Sequence, residues 1–334
     1  MASPLILQAA AQAAGAQQHP AGALYVVATP IGNLADLSLR AIHLLGLADA
    51  VACEDTRVTA GLLQRLGLAC PLIALHEHNE AAAAPRVIER LAAGARVAYV
   101  SDAGTPAISD PGARLVAAVR AAGHRVIPLP GPSSVATALS AAGDIDGQGF
   151  RFVGFVAPKA AARGHDLQRL ADDPGTCVLF EAPHRIEALA HGLAEAMPQR
   201  RITVCRELTK QFEQIRTLDA AALPDWLAAD ADHRRGEFVL VLHALPARTA
   251  AAEAGDAGGG VPAERLLRTL LAELPLKQAV ALTAQATGAA RNAVYAQALA
   301  LRDGATAASD AADPAPEVAP EALPPLRRPG RTRR

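Results

Sequence analysis

Serine, threonine, aspartate, glycine and proline gather in three short loops of this 334-residue chain, each behind an apolar run. Residues 24–34 read Leu-Tyr-Val-Val-Ala-Thr-Pro-Ile-Gly-Asn-Leu, and 97–112 read Val-Ala-Tyr-Val-Ser-Asp-Ala-Gly-Thr-Pro-Ala-Ile-Ser-Asp-Pro-Gly. The third, 128–134, is Pro-Leu-Pro-Gly-Pro-Ser-Ser. Gly104 and Gly131 carry no side chain and admit a close main-chain approach. Pro106, Pro130 and Pro132 fix the turns, and Ser101, Thr105, Ser133 and Ser134 offer hydroxyls. Such loops suit a zwitterionic, adenosine-bearing ligand held by main-chain donors and acceptors rather than by charge. Residues 29–34 lack the G-x-G-x-x-G of dinucleotide sites and no Walker pattern occurs. Nicotinamide and flavin cofactors are therefore disfavoured, and nucleotide hydrolysis has no support.

The elements that must carry these loops follow from the hydrophobic pattern. Apolar runs without polar alternation fit parallel strands covered on both faces, and such sheets bind ligands at the carboxyl ends of their strands. Residues 24–28, 50–53, 72–75, 96–100 and 125–129 read as strands with helices between them, the pattern of βαβ units. Asp110 is placed to N-cap the following helix, with Pro111 in its first turn. The three prolines within 128–132 break the pattern and mark a domain crossing. A second α/β unit places strands near 150–155, 176–180, 201–205, 214–218 and 237–243, the later ones partly antiparallel.

The expected organisation is a disordered leader over 1–22, an N-terminal α/β domain over 23–130 and a C-terminal α/β domain over 131–246. A linker follows over 247–261, then a helix-turn-helix-like module over 262–303 and a disordered Ala/Pro/Arg-rich tail over 304–334. The start has no basic segment ahead of an apolar core, so it reads as the leader of a cytoplasmic protein, and no stretch is apolar enough to span a membrane. The four cysteines form no C-x-x-C pair, which disfavours zinc knuckles and disulfides. His76-Glu77-His78 offers two metal ligands at best, so no metal is expected. A net charge of −1 gives no compositional support for a nucleic-acid partner. Only three of the 32 basic residues are lysines, and Lys159 and Lys210 fall inside motifs.

Further blocks follow in order: Glu54-Asp-Thr-Arg57, Leu75-His-Glu-His-Asn-Glu80, Phe180-Glu-Ala-Pro-His-Arg185, Arg206-Glu-Leu-Thr-Lys210 and Gly236-Glu-Phe238. Together with the first two loops they resemble the tetrapyrrole-methylase superfamily, in its ribosomal RNA small-subunit 2′-O-ribose methyltransferase branch. The resemblance implies a fold class of α/β type: two α/β domains of the tetrapyrrole-methylase (class III methyltransferase) kind with a ligand cleft between them, plus a small C-terminal helical module. It implies S-adenosylmethionine as cofactor, a homodimer, and methylation of a cytidine 2′-hydroxyl in the decoding region of 16S ribosomal RNA in the small ribosomal subunit. Cofactor contacts are implied at Pro30, Ser101, Asp102, Ala103, Gly104, Thr105, Ile108, Gly131, Pro132, Ser133 and Ser134, with Phe180 and Gly236 on the far side. Glu54, Arg57, Lys159, His184, Arg185 and Arg206 are implied to face substrate. A carboxylate or a neutral lysine could accept the proton of a ribose hydroxyl, and Asp55, Glu207 and Lys210 stand as alternatives for that role. The same fold also serves tetrapyrrole C-methylation and diphthamide synthesis, and a catalytically silent ribosome-binding protein is a further reading. Lysine is scarcer before Asn292 than the resemblance leads one to expect.

Overall fold

A computed structural model describes residues 4–76, 79–246 and 263–309. The first compact unit contains two sheets, each of five strands. Helix α1 (Pro4–Ala14) precedes β1 (Ala23–Val27), α2 (Leu39–Leu47), β2 (Ala50–Cys53), α3 (Thr56–Leu66) and β3 (Leu72–Ala74). Helix α4 (Glu80–Ala92), β4 (Val97–Val100), α5 (Ala113–Ala121) and β5 (Arg125–Leu129) complete the first layer set. Its strand order is β3-β2-β4-β1-β5, every pairing parallel. Because β1, β2 and β4 are covered on both faces, they read as unbroken apolar runs. The side chains of α2 and α3 pack on one face and those of α4 and α5 on the other. Fully burying one such aliphatic side chain contributes about 1.5–3 kcal/mol, so these two cores anchor the loops at the strand ends.

Then come α6 (Ser134–Ala142), β6 (Phe150–Phe155), α7 (Ala160–Ala171), β7 (Thr176–Glu181), α8 (Ile186–Ala196), β8 (Arg201–Arg206), β9 (Gln214–Asp219), α9 (Leu223–Ala229) and β10 (Phe238–Leu242). The second sheet runs β6-β7-β10-β8-β9, with β6–β7 parallel and the remaining pairs antiparallel. Helix α6 covers one face, while α7, α8 and α9 cover the other. A second unit contains α10 (Ala263–Glu273), α11 (Leu276–Thr287) and α12 (Arg291–Ser309), packed around Leu267, Val280 and Val294.

Three expectations differ from the structure. Part of the leader read as disordered is helical: α1 buries Ala10 and Ala14 and sets Ile6 and Leu7 against the core of the first sheet. Its small residues let it lie close on α2, a tertiary gain that an Ala- and Gln-rich composition does not announce. Helix α5 starts at Ala113 rather than at Pro111, and Asp110 does not cap it. The capping carboxylate is Glu80 Oε1, which accepts the N–H groups of Gly112 (3.0 Å) and Leu115 (2.9 Å). Helix α12 continues to Ser309, past the expected end of the module at 303. The linker 247–261 and the tail beyond 309 lie outside the described residues, as do Glu77 and His78 of the His-Glu-His motif.

Candidate functional site

The carboxyl ends of β1 and β4 and the loop after β5 meet the ends of β7 and β10 and the loop after β8. Between them lies a cleft of about 350 Å³. Its floor comes from 103–110 and 133–135, and its opposite wall from Phe155, Phe180, Glu181 and the stretch 237–239. The loops are stapled to one another. Thr29 and Gly104 exchange main-chain hydrogen bonds at 2.9 and 3.0 Å, and Thr29 Oγ1 donates to the Ser101 carbonyl. Thr105 Oγ1 donates to the Pro132 carbonyl at 2.9 Å, joining the second loop to the third. Ser133 N-caps α6 by accepting from the Ala136 N–H.

Backbone strain is concentrated here. The only positive-φ residues other than glycine among the described residues are Ala107, Ser109, Glu207 and Thr209, at 66°, 64°, 52° and 67°. Two lie in the loop after β4 and two in the loop after β8, the two loops that supply Ser109, Leu208 and Lys210 to the cleft. Left-handed non-glycine residues persist only where surrounding structure holds them, and they cluster at functional sites. Gly104, at φ 80°, turns the first of these loops with no steric cost.

The loop after β8 carries a charged network. Lys210 Nζ donates to Glu207 Oε1 at 2.8 Å and to Glu237 Oε2 at 2.9 Å, and Glu207 Oε1 also accepts the Glu237 N–H. Burial pulls the Lys210 ammonium down, but the hydrogen bonds from Glu207 and Glu237 outweigh it and hold its pKa above the ordinary lysine value. Burial likewise raises Glu207, but Lys210 and the Glu237 backbone carry it below the usual carboxylate value. Lys210 is thus a cation at neutral pH, not the neutral base that the sequence left open.

Across the cleft, burial, then Asp102 and Asp110, push the Glu54 carboxyl up. Burial also raises Asp110, against a Ser101 hydrogen bond. Asp55 caps α3 and binds Arg57, whose side-chain hydrogen bond holds it down to about 2.

Of the residues singled out for the cofactor, Ala103, Gly104, Thr105, Ile108, Ser133, Ser134 and Phe180 line the cleft together. Pro30, Ser101 and Asp102 line a second depression, shared with Arg57 and Arg65 of α3. Gly131 packs on Ala28, where a Cβ would come within 2.9 Å of the alanine methyl, and Pro132 contributes its carbonyl to Thr105. Gly236 adjoins the wall at φ 86°. Of the three proton-acceptor candidates, Lys210 lines the cleft, Glu207 is bonded to it, and Asp55 is committed to Arg57.

Of the residues expected to face substrate none lines the cleft, and among them Arg57 lines the second depression. Lys159 and His184 are exposed and line neither depression. Arg185 donates from Nη2 to the Val156 carbonyl and pairs with Glu181. Arg206 is buried, its guanidinium spent on Gln214 Oε1 and the carbonyls of Phe212 and Arg235. That guanidinium braces the β8–β9 loop. Sequence reasoning missed Glu181, Phe155 and Glu237 as wall residues. Glu181 and Glu237 stood inside quoted motifs, whereas Phe155 carried no signal.

Comparison with known proteins accords with this geometry. The model of the tetrapyrrole (corrin/porphyrin) methylases matches residues 23–224, and that of the RsmI C-terminal HTH domain matches 257–302. A Pseudomonas aeruginosa protein named ribosomal RNA small subunit methyltransferase I is 48% identical over 280 residues, 84% of this chain and 97% of that protein. Its namesake in Neisseria meningitidis serogroup B is 45% identical over 282 residues, 84% and 94% of the two chains. Among solved structures, cobalt precorrin-4 methyltransferase superposes with a TM-score of 0.51 at 19% identity, over 67% of this chain and 98% of that one, a likeness of fold. The chain belongs to the tetrapyrrole methylase family and, within it, groups with the ribosomal RNA small subunit methyltransferase I proteins.

Proposed function

We propose that the chain transfers a methyl group from S-adenosylmethionine to the ribose 2′-hydroxyl of a cytidine in small-subunit ribosomal RNA. The observation that carries the reading is the cleft, built from family motifs, in a chain 48% identical to a ribosomal RNA small subunit methyltransferase I. The residues present fit the cofactor. A space of about 350 Å³ falls in the range of small-molecule sites, roughly 300–1,000 Å³. Phe155 and Phe180 offer ring surface to a purine, and Gly104 brings the main chain close.

S-adenosylmethionine, when bound, supplies a methyl group on a cationic sulfur, so the displacement depends more on alignment than on proton removal. Positioning can contribute about 7–11 kcal/mol, whereas a general base typically adds about 10²–10⁴-fold, or ~3–5 kcal/mol. The stapled, strained loops supply the alignment. Lys210 would donate a hydrogen bond to the attacking oxygen and stabilise the charge that develops there as the hydroxyl proton passes to solvent water, while Glu207 holds the ammonium in place from 2.8 Å.

The assembled small subunit as substrate, a homodimeric state and a cytoplasmic location belong to the same reading. No described helix is long and apolar enough to cross a membrane. The test is to incubate the protein with radiolabelled S-adenosylmethionine and small subunits lacking native ribose methylation, then map the label by nuclease digestion. Label confined to one 2′-hydroxyl supports the reading; a protein that binds the cofactor yet labels no RNA contradicts it.

A further inference from the structure

Glu181 ends β7 at the cleft wall, and its two carboxyl oxygens have different surroundings. Oε1 accepts the Ala182 N–H at 2.9 Å and faces Arg185 Nε at 3.1 Å. Oε2 is fully buried and has no hydrogen-bond partner. The side chain is 1% exposed, yet it lines the cleft beside Phe155, Phe180 and Phe238, none of which can donate. Arg185 Nη2 is held by the Val156 carbonyl, and its Nε, beside Oε1, is likewise buried without a hydrogen-bond partner. Buried polar atoms in folded proteins are almost always paired, so an orphan acceptor at a ligand cavity marks where a ligand donor belongs.

We propose that Glu181 Oε2 accepts a hydrogen bond from a hydroxyl or amino group of the bound adenosyl ligand and selects for that group. The inference rests on the reading of the cleft as an adenosyl site and adds a specificity residue to it. The Ala182 N–H holds Oε1 on the protein side, 3.1 Å from Arg185 Nε. A glutamine at this position therefore turns its carbonyl oxygen to them and its amide N–H₂ to the cavity. Glu181→Gln thus replaces an acceptor by a donor at unchanged size.

Calorimetry decides the matter, with S-adenosylhomocysteine and four analogues that each lack one donor: the 2′-hydroxyl, the 3′-hydroxyl, the adenine amine or the α-amine. The expected result is that one analogue binds the unaltered protein roughly 10- to 100-fold more weakly than the parent. Glu181→Gln then binds the parent more weakly by a similar factor and no longer discriminates against that analogue. Equal parent affinity in Glu181→Gln, or discrimination that survives the substitution, overturns the assignment and leaves Oε2 to a structural water. Should Glu181→Gln not fold, the analogue series on the unaltered protein decides alone, and uniform affinities across it overturn the proposal. No binding of S-adenosylhomocysteine to the unaltered protein instead overturns the adenosyl reading beneath it.

Discussion

Gly236 lies so close to Glu207 that a Cβ on the glycine would stand 2.4 Å from Glu207 Cγ and 2.5 Å from Oε1. Gly236 also holds φ at 86°, a region that side-chain-bearing residues rarely adopt. Gly236→Ala should therefore push the Glu207 carboxylate away from Lys210. We expect single-turnover methyl transfer to fall at least about tenfold, with S-adenosylhomocysteine affinity changed far less, because positioning of a reacting group is lost. Rapid-quench kinetics beside calorimetry separates the two effects.

Lys210 is packed as tightly on its other side. A Cβ on Gly32 would come within 2.5 Å of Lys210 Cγ and 2.9 Å of Thr209 Oγ1. Lys210→Met keeps the stem and removes the charge, and should lower kcat by about 10²–10³-fold, the cost of removing one preorganised donor. Lys210→Arg should fail to restore the rate, since a planar guanidinium does not reproduce a compact ammonium between two carboxylates. Recovery of the rate by arginine would contradict this placement.

Glu80 caps α5 from another helix and is itself buried. Glu80→Ala leaves two N–H groups without their acceptor and should cost about 2–6 kcal/mol of stability, at roughly 1–3 per lost partner. Glu80→Gln, which keeps an acceptor oxygen, should cost less. Because Gly112 ends the loop that floors the cleft, Glu80→Ala should also weaken S-adenosylhomocysteine binding. Denaturant titration and calorimetry on the same samples check both outcomes.

The Glu207–Lys210 pair makes a signed pH prediction. Glu207 titrates lower in the folded chain than its ordinary value, through Lys210 and the Glu237 N–H set against burial. Its contribution to stability is therefore present above the unfolded carboxylate pKa, about 4.3, and is lost as pH falls through the lower folded value. The Tm difference between the unaltered protein and Glu207→Gln should stay constant above about pH 5 and shrink below about pH 4. A difference that grows on acidification would contradict the sign.

The strands were legible because buried parallel strands such as β1 and β4 are continuous apolar runs. The loops were legible because Gly104, Thr105 and Ser133 follow them at strand ends. What the sequence hid is set by tertiary partners. Arg185 and Arg206 are implied by the resemblance to face substrate, but in the fold their guanidinium groups bond main-chain carbonyls. Asp110 read as the cap of α5, but Glu80, 32 residues before Gly112, takes that role on the Gly112 N–H. The left-handed backbone at Ala107, Ser109, Glu207 and Thr209 contradicts local preference, so no single-residue rule finds it.

The most direct test of the account is nucleoside mass spectrometry of ribosomal RNA, taken from small subunits after reaction with the protein and S-adenosylmethionine. The account predicts one equivalent of 2′-O-methylcytidine per subunit, reduced about 10²–10³-fold in rate by Lys210→Met. A methyl group on a base, or 2′-O-methylcytidine formed at an undiminished rate by Lys210→Met, would contradict it.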